Sequence, residues 1–215
     1  MGLFITFEGI EGCGKSTQVR LLSEVLNGKG IPYIVTREPG GTSIGAKIRE
    51  ILLNPDHKGM APEAELLLYA ADRAQHVREL IRPALNEGRV VVCDRFTDAT
   101  VAYQGFGRKL NESLINKLIE IASLGIKPDL TILLDCPVEI GIGRAMERNS
   151  KNRHVRDDRF EQEAMEFHEM VRSGYLAIAE AEHERVKKVD ATKNIQSMHS
   201  EIWGIVDAFL RNHRS

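Results

Sequence analysis

The stretch Leu3-Phe-Ile-Thr-Phe-Glu-Gly9-Ile-Glu-Gly-Cys-Gly14-Lys15-Ser16-Thr17 constrains the fold more than any other. A short apolar run with β-branched and aromatic residues stops at a glycine, and helix-compatible residues follow from Ser16 to Leu26. Between them stands G-x-x-x-x-G-K-[ST], here Gly9, Gly14, Lys15 and Ser16. Strand, loop and helix in that order are the setting this phosphate-binding motif requires. Ordinary residue frequencies give such a match in under about 1% of chains of this length. Gly9, Gly12 and Gly14 free the backbone to turn its N–H groups toward phosphate oxygens, with the positive end of a helix behind them. Lys15 brings a mobile cation to the β- and γ-phosphates, and the Ser16 hydroxyl is placed for Mg²⁺. The loop Gly9, Ile10, Glu11, Gly12, Cys13, Gly14, Lys15, Ser16 and Thr17 is therefore expected to bind ATP with Mg²⁺.

Downstream, Val19, Leu22, Val25 and Leu26 recur at helical spacing until Asn27-Gly28-Lys29-Gly30. Ile31–Thr36 reads as a second strand, Arg37–Thr42 as a loop, and Ser43 as the cap of a helix through about Leu53. Pro62 to Leu85 reads as one long helix, with the apolar stretch Leu66–Ala71 expected deep in the core. Val90–Asp94 is a third strand, followed by helical patterns around Thr97–Gln104 and Asn111–Leu124. Leu130–Leu134 is a fourth strand ending at Asp135, and Pro137–Arg148 a helix. Residues 149–156 are polar and basic, and a helix is expected from Asp157 or Asp158 to about Glu184. Val186–Val189 and a closing helix over Ile195–Leu210 complete the order. Such alternation predicts an α/β fold: a five-stranded parallel sheet with helices on both faces and right-handed connections. Ligands of such sheets bind beyond the carboxyl ends of the strands, where the glycine loop, Arg37, Asp94-Arg95 and Asp135 all fall.

Composition excludes several other classes. The chain has 215 residues, 42% hydrophobic and 28% charged, which suits one globular domain over 1–215. A formal net charge of −2 advertises neither nucleic-acid nor membrane binding, so any anion site must be local. The three cysteines, Cys13, Cys93 and Cys136, form no C-x-x-C pair and fit a reducing compartment. No signal-peptide pattern or membrane-length apolar run is seen, and the cytoplasm is the expected location.

Further constellations gather on the same side. Asp94 can reach the Mg²⁺ shell held by Ser16, or can simply form a strand-end ion pair with Arg95. Arg144, Arg148, Arg153, Arg156 and Arg159 crowd the segment after the fourth strand. They make either a solvated basic loop or a lid, about 148–158, that brings an arginine to the transferring phosphoryl group. The glycine loop has no arginine of its own, which favours the lid. Tyr69 and Arg73 share a helix face, and Tyr103-Gln104 follow Asp94 by one short helix; together they can read a flat base, though Tyr69 equally suits core packing. A thiol at Cys13, at a helix N-terminus, suggests oxidant-sensitive activity.

Phe7–Thr17, Arg37-Glu-Pro-Gly-Gly-Thr42, Tyr69-Ala-Ala-Asp-Arg73, Asp94-Arg95-Phe96 with Ala102-Tyr-Gln-Gly105, and Asp158-Arg-Phe-Glu161 occur in this order. The set closely resembles the bacterial thymidylate kinase family over essentially the whole chain. The resemblance implies a P-loop NTPase fold of the nucleoside monophosphate kinase type, and transfer of the γ-phosphoryl group of ATP to dTMP with Mg²⁺. It implies that Glu11 lies near the deoxyribose 3′-OH, that Arg73 and Gln104 hydrogen-bond the thymine, and that Tyr69 stacks on it. It implies that Arg95 and Arg49 hold the dTMP phosphate, Tyr103 crowds the 2′ position, and Thr100 lines the same site. Catalytic charge then comes from Lys15, Arg95 and a lid arginine among Arg148, Arg153, Arg156 and Arg159, and the protein is a homodimer. Tyr69 in place of phenylalanine, Cys13, Ala99-Thr100 and a longer insert over Asn149–Val155 depart from the family pattern. The rival readings are another small-molecule kinase and an ATP-driven switch, which a panel of acceptors separates.

Overall fold

Apolar, β-branched runs with no polar alternation can be satisfied only between two covering layers. Three such runs, β1 (Leu3–Glu8), β3 (Val90–Asp94) and β4 (Leu130–Asp135), form the centre of a five-stranded parallel sheet ordered β2-β3-β1-β4-β5. The computed structural model describes residues 2–151 and 159–213. The edges are β2 (Tyr33–Arg37) and β5 (Val186–Asp190), which are more polar. β2 begins two residues later than Ile31, because Pro32 has no N–H to give and serves only through its carbonyl, which accepts from Val90 N–H.

Helices cover both faces. On one, Ile5, Phe7, Val90, Val92, Leu130 and Ile132 pack with Val19, Leu22 and Leu26 of α1 (Lys15–Gly28) and with Met198, Ile202 and Val206 of α9 (Ile195–His213). On the other, Phe4, Val91 and Cys93 meet Val77, Ile81, Ala84 and Leu85. The remaining helices are α2 (Ser43–Leu53), α3 (Pro62–His76), α4 (Arg82–Asn86), α5 (Thr97–Thr100), α6 (Glu112–Ser123), α7 (Val138–Lys151) and α8 (Met165–Ala181).

Four expectations need correction. The helix predicted over Pro62–Leu85 widens into a π-helical segment at Val77–Ile81 between α3 and α4. Pro83 supplies no N–H and its ring crowds the preceding turn, so the chain loosens there. Leu66–Ala71 is not uniformly deep: Leu66 is buried but Leu67 is 56% exposed. The inward face of α3 instead carries Glu65, Asp72, Arg73 and His76. Thr42, not Ser43, caps α2, its hydroxyl accepting from Gly45 N–H at 3.0 Å. Finally, α8 starts at Met165 rather than near residue 158. Tertiary bonds win over helix propensity at its expected start: Arg159 N–H donates to Leu53 O, Arg159 Nε to Leu52 O, and Phe160 is buried.

A second π-helical segment, Val101–Gly107, follows α5. Its wide turn closes with Arg108 N–H on Tyr103 O, and Tyr103 and Gln104 both turn inward.

Candidate active site

Beyond the carboxyl ends of the strands lies a cleft of about 930 Å³. One wall is the glycine loop. Gly9, Gly12 and Gly14 have φ of 134°, 66° and 98°, conformations that only glycine takes without strain. At Gly12 the backbone runs so close to α7 that a Cβ there would lie 1.9 Å from Gly141 O. Gly14 caps α1, and Lys15 Nζ donates to Gly9 O and Ile10 O, each at 2.9 Å. Glu11, Gly12, Gly14, Lys15, Ser16 and Thr17 line the cleft. Ile10 and Cys13 point their side chains into the core, and Cys13 Sγ there accepts from Lys15 Nζ at 3.6 Å. The Cys13 thiol is fully buried.

Ser16 Oγ donates to Asp94 Oδ2 at 3.1 Å. A hydroxyl and one carboxylate so close together suit Mg²⁺, which takes hard oxygen ligands and completes its shell with phosphate oxygens and water. Among the described residues no cluster of three or more His, Cys, Asp or Glu forms a separate metal cage.

Arg95 occupies the middle of the cleft. Its φ of 71° is the left-handed region, held by Arg95 N–H on Phe7 O and by Phe96 N–H on Glu8 Oε1 at 2.7 Å. The turn aims the guanidinium at Tyr175 Oη and Glu11 Oε1, both at 3.0 Å, above the Tyr103 ring at 4.7 Å. Tyr103 Oη donates to the same Glu11 oxygen at 2.5 Å, and Tyr175 Oη to Glu8 Oε2 at 2.8 Å. Burial alone would lift the Glu11 carboxyl; Arg95, His168, Lys15 and Tyr103 outweigh it and hold it well below the usual carboxylate range. Glu8 goes the other way: burial, then the charge of Asp98, push it up to about 7 despite Arg95. Burial carries Tyr103 and Tyr175 well above the ordinary phenol value.

The far wall gathers most of the expected acceptor residues. Arg73 is 2% exposed, with Nε on Glu38 Oε2 at 2.8 Å and Nη2 on Phe96 O at 2.9 Å. His76 Nδ1 meets Glu38 Oε1 at 2.9 Å and its Nε2 meets Thr36 Oγ1 at 2.7 Å, so the Arg37–Gly41 loop is built on a buried polar cluster. Asp72 belongs to it, accepting from Gly40 N–H, and burial pushes its carboxyl up to about 6. Arg49 donates to Pro39 O and lies across Gly40. Thr100 Oγ1 is buried with no hydrogen-bond partner among the described residues, although its residue lines the cleft. Such an orphan hydroxyl suits a ligand contact. Tyr69, Tyr103 and Gln104 complete this wall, and Phe160, its ring 5.5 Å from that of Tyr103, joins them.

Of the lid arginines, Arg148 extends from α7 into the cleft lining, 57% exposed and 2.5 Å from Glu161 Oε1. Arg159 is 4% exposed and bound to Glu65 and Leu52 O, which makes it a fixed strut rather than a mobile catalyst. Arg153, Arg156 and most of the segment 148–158 lie outside the described residues. No local pattern marks Glu8, Tyr175, Glu38 or His76, since each acts through partners 35 or more residues away.

A phosphate cradle facing an arginine-rich pocket across one parallel-sheet edge is the arrangement of P-loop phosphotransferases that join two nucleotides head to head, the nucleoside monophosphate kinase class. The thymidylate kinase family model matches residues 7–202. A thymidylate kinase of Geotalea uraniireducens is 52% identical over 210 residues, covering 98% of this chain and 99% of that one. One of Geotalea daltonii is 56% identical over 196 residues, covering 91% and 92%. The crystal structure of thymidylate kinase from Ehrlichia chaffeensis superposes with a TM-score of 0.77 at 31% identity, covering 95% and 98%. The chain belongs to the thymidylate kinase family. It is a kinase, and the family's reaction moves the γ-phosphoryl group of ATP to dTMP with Mg²⁺. No helix of the described residues is long and apolar enough to cross a membrane.

Proposed function

We propose that this chain makes dTDP from dTMP and ATP with the division of labour that follows. The observation that carries it is the convergence on one cleft of Lys15 and Ser16 with Arg95, Arg73 and Gln104. The backbone from Gly9 to Thr17 binds the donor's phosphates, and Lys15 exchanges the carbonyls of Gly9 and Ile10 for phosphate oxygens. Ser16 and Asp94 hold the metal. When bound, Mg²⁺ supplies positive charge at the β- and γ-phosphates. Arg95 and Arg49 grip the acceptor phosphate; Glu11, which shares its carboxylate with Arg95 and Tyr103, keeps that guanidinium aimed and meets the 3′-OH. Arg73, Gln104, Tyr69 and Thr100 take the base and its surroundings, and Tyr103 closes the 2′ side.

No protein nucleophile is required, because phosphoryl transfer asks mainly for alignment and charge. A lid over 148–158 brings Arg148, Arg153 or Arg156 to the transferring group and excludes water, the whole chain 1–215 acting as one domain. The enzyme works in the cytoplasm as a homodimer. Ile44, Leu67 and Ile121, each more than half exposed on α3 and on α2 and α6, which both pack against it, support that pairing. Sedimentation of a single monomeric species at micromolar concentration would refute it.

Activity is tested with Lys15→Ala. dTDP formation should fall by roughly 10³-fold or more, with an unchanged urea midpoint. Ordinary turnover by the folded variant refutes the donor-site assignment. An acceptor panel of dTMP, dUMP, thymidine and other monophosphates tests the other half.

A further inference from the structure

We infer that Glu65, which nothing above assigns to the reaction, is the positioning residue that decides which end of the Gln104 amide meets the base. It thereby makes the pocket select a pyrimidine bearing an N3–H. The inference rests on the reading of Gln104 as a base contact.

Gln104 lines the cleft and is 1% exposed. The two ends of a primary amide have nearly the same shape, so only a partner can fix their order. Here the partner is a carboxylate: Gln104 Nε2 donates to Glu65 Oε1 at 2.8 Å. Glu65 is fully buried on α3, behind Gln104 and outside the cleft lining. Both its oxygens accept. Oε2 takes Arg159 Nη2 at 2.6 Å and Arg108 Nη2 at 3.2 Å; Oε1 takes Arg108 Nε at 3.3 Å as well as the amide. With both oxygens already accepting from guanidiniums, the side chain presents acceptors to the amide. Reversing the amide would set two acceptors against each other in a dry interior, which costs on the order of a 10–100-fold population.

The amide is therefore locked with its nitrogen toward Glu65, and Oε1 is the end available to a ligand. Thymine and uracil carry N3–H and can donate to it. Cytosine carries a bare N3 and meets acceptor with acceptor. A buried ion cluster is seldom the most stabilising filling for such a space, since desolvation opposes the Coulomb gain. Its benefit here is directional. The same cluster anchors the chain just after the lid, because Arg159 also bonds Leu52 O and Leu53 O.

Glu65→Gln is the direct test. The new amide can donate as well as accept, so both orientations of Gln104 become open to it. Initial rates with ATP are measured for dTMP and dCMP in wild type, Glu65→Gln and Gln104→Ala. In Glu65→Gln the kcat/KM preference for dTMP over dCMP should shrink by about 10–100-fold, through KM. Equal losses for both acceptors, with the ratio unchanged, make Glu65 a purely structural residue and overturn the inference. A preference left intact in Gln104→Ala instead refutes the base-contact reading itself. Should Glu65→Gln fail to fold, wild type suffices. The Gln104 side-chain NH₂ signals, assigned by their loss in Gln104→Ala, should stay protected from hydrogen exchange in the dTMP complex. Solvent-rate exchange there overturns the inference.

Discussion

Glu8→Gln should remove a pH dependence of stability that one buried carboxyl imposes. Glu8 ends β1, is 1% exposed, and clamps the Asp94–Phe96 turn through Phe96 N–H. Burial and Asp98 raise it from 4.5 to about 7 in the folded chain. Between those two values the folded protein keeps a proton that the unfolded chain has released. The stability this proton contributes is fully present below the unfolded pKa and is lost as pH rises through the folded one. At 1.36 kcal/mol for each pH interval, the loss totals about 3 kcal/mol, most of it between pH 5 and 8. Glutamine resembles the protonated acid: its oxygen can accept from Phe96 N–H and its NH₂ can donate to Tyr175 Oη. The variant should exceed wild type by under about 1 kcal/mol near pH 5 and by about 3 kcal/mol at pH 8, or roughly 6–12 °C in Tm there. Asp72, pushed up to about 6, titrates in both proteins and cancels from the difference. Urea unfolding followed by Trp203 fluorescence across pH 5–8 reads the effect, with m unchanged. Parallel curves for the two proteins would refute the reasoning.

Arg95→Ala should lower kcat/KM for dTMP by at least about 10–100-fold while the KM for ATP stays within about two-fold, because its bonds run to Glu11 and Tyr175; equal loss on both sides counts against its role. Gly12→Ala should destabilise by about 2 kcal/mol or more and weaken ATP binding, since its Cβ would lie 1.9 Å from Gly141 O at a φ of 66°. Gly28→Ala, with nothing within 4 Å in the same helix α1, should be neutral or stabilising by up to about 1 kcal/mol. All three cysteines are buried, so a thiol reagent should label none in the native protein and three in urea; fast loss of activity in peroxide would restore the idea of an oxidant-sensitive Cys13.

What could be read from the chain alone was local. The glycine loop, Asp94-Arg95 and the alternation of strands and helices are short patterns whose physics lies within a dozen residues, and the structure assembles them as expected. The misread parts depend on distant partners. Nothing between residues 158 and 165 announces that Arg159 bonds Leu52 and Glu65 instead of starting a helix. The leucines of α3 look like core, yet only Leu66 is buried, and the same side of that helix carries Glu65, Asp72, Arg73 and His76 because distant segments supply their partners: Arg159, Glu38 and Gly40. The π-helical widening at Val101–Gly107, which holds Tyr103 and Gln104 inward, has no marker in its own residues. Glu8 and Tyr175 became visible only when the sheet brought them beneath Arg95.

The close seat of α7 on the glycine loop has a mechanical corollary. A Cβ on Gly141 would come within 2.7 Å of Glu11 O, just as one on Gly12 would strike Gly141 O, so two missing methyl groups let the backbones touch. That contact is a fulcrum near one end of a rigid rod carrying Arg144 and Arg148. From Gly141 to Lys151 the rod runs roughly 15 Å, and a tilt of about 5° displaces its tip by about 1 Å. A fluorophore at residue 151 should therefore report an ATP analogue settling some distance away. Arrival of the donor would then be felt along α7 through leverage alone, without a relay of side chains.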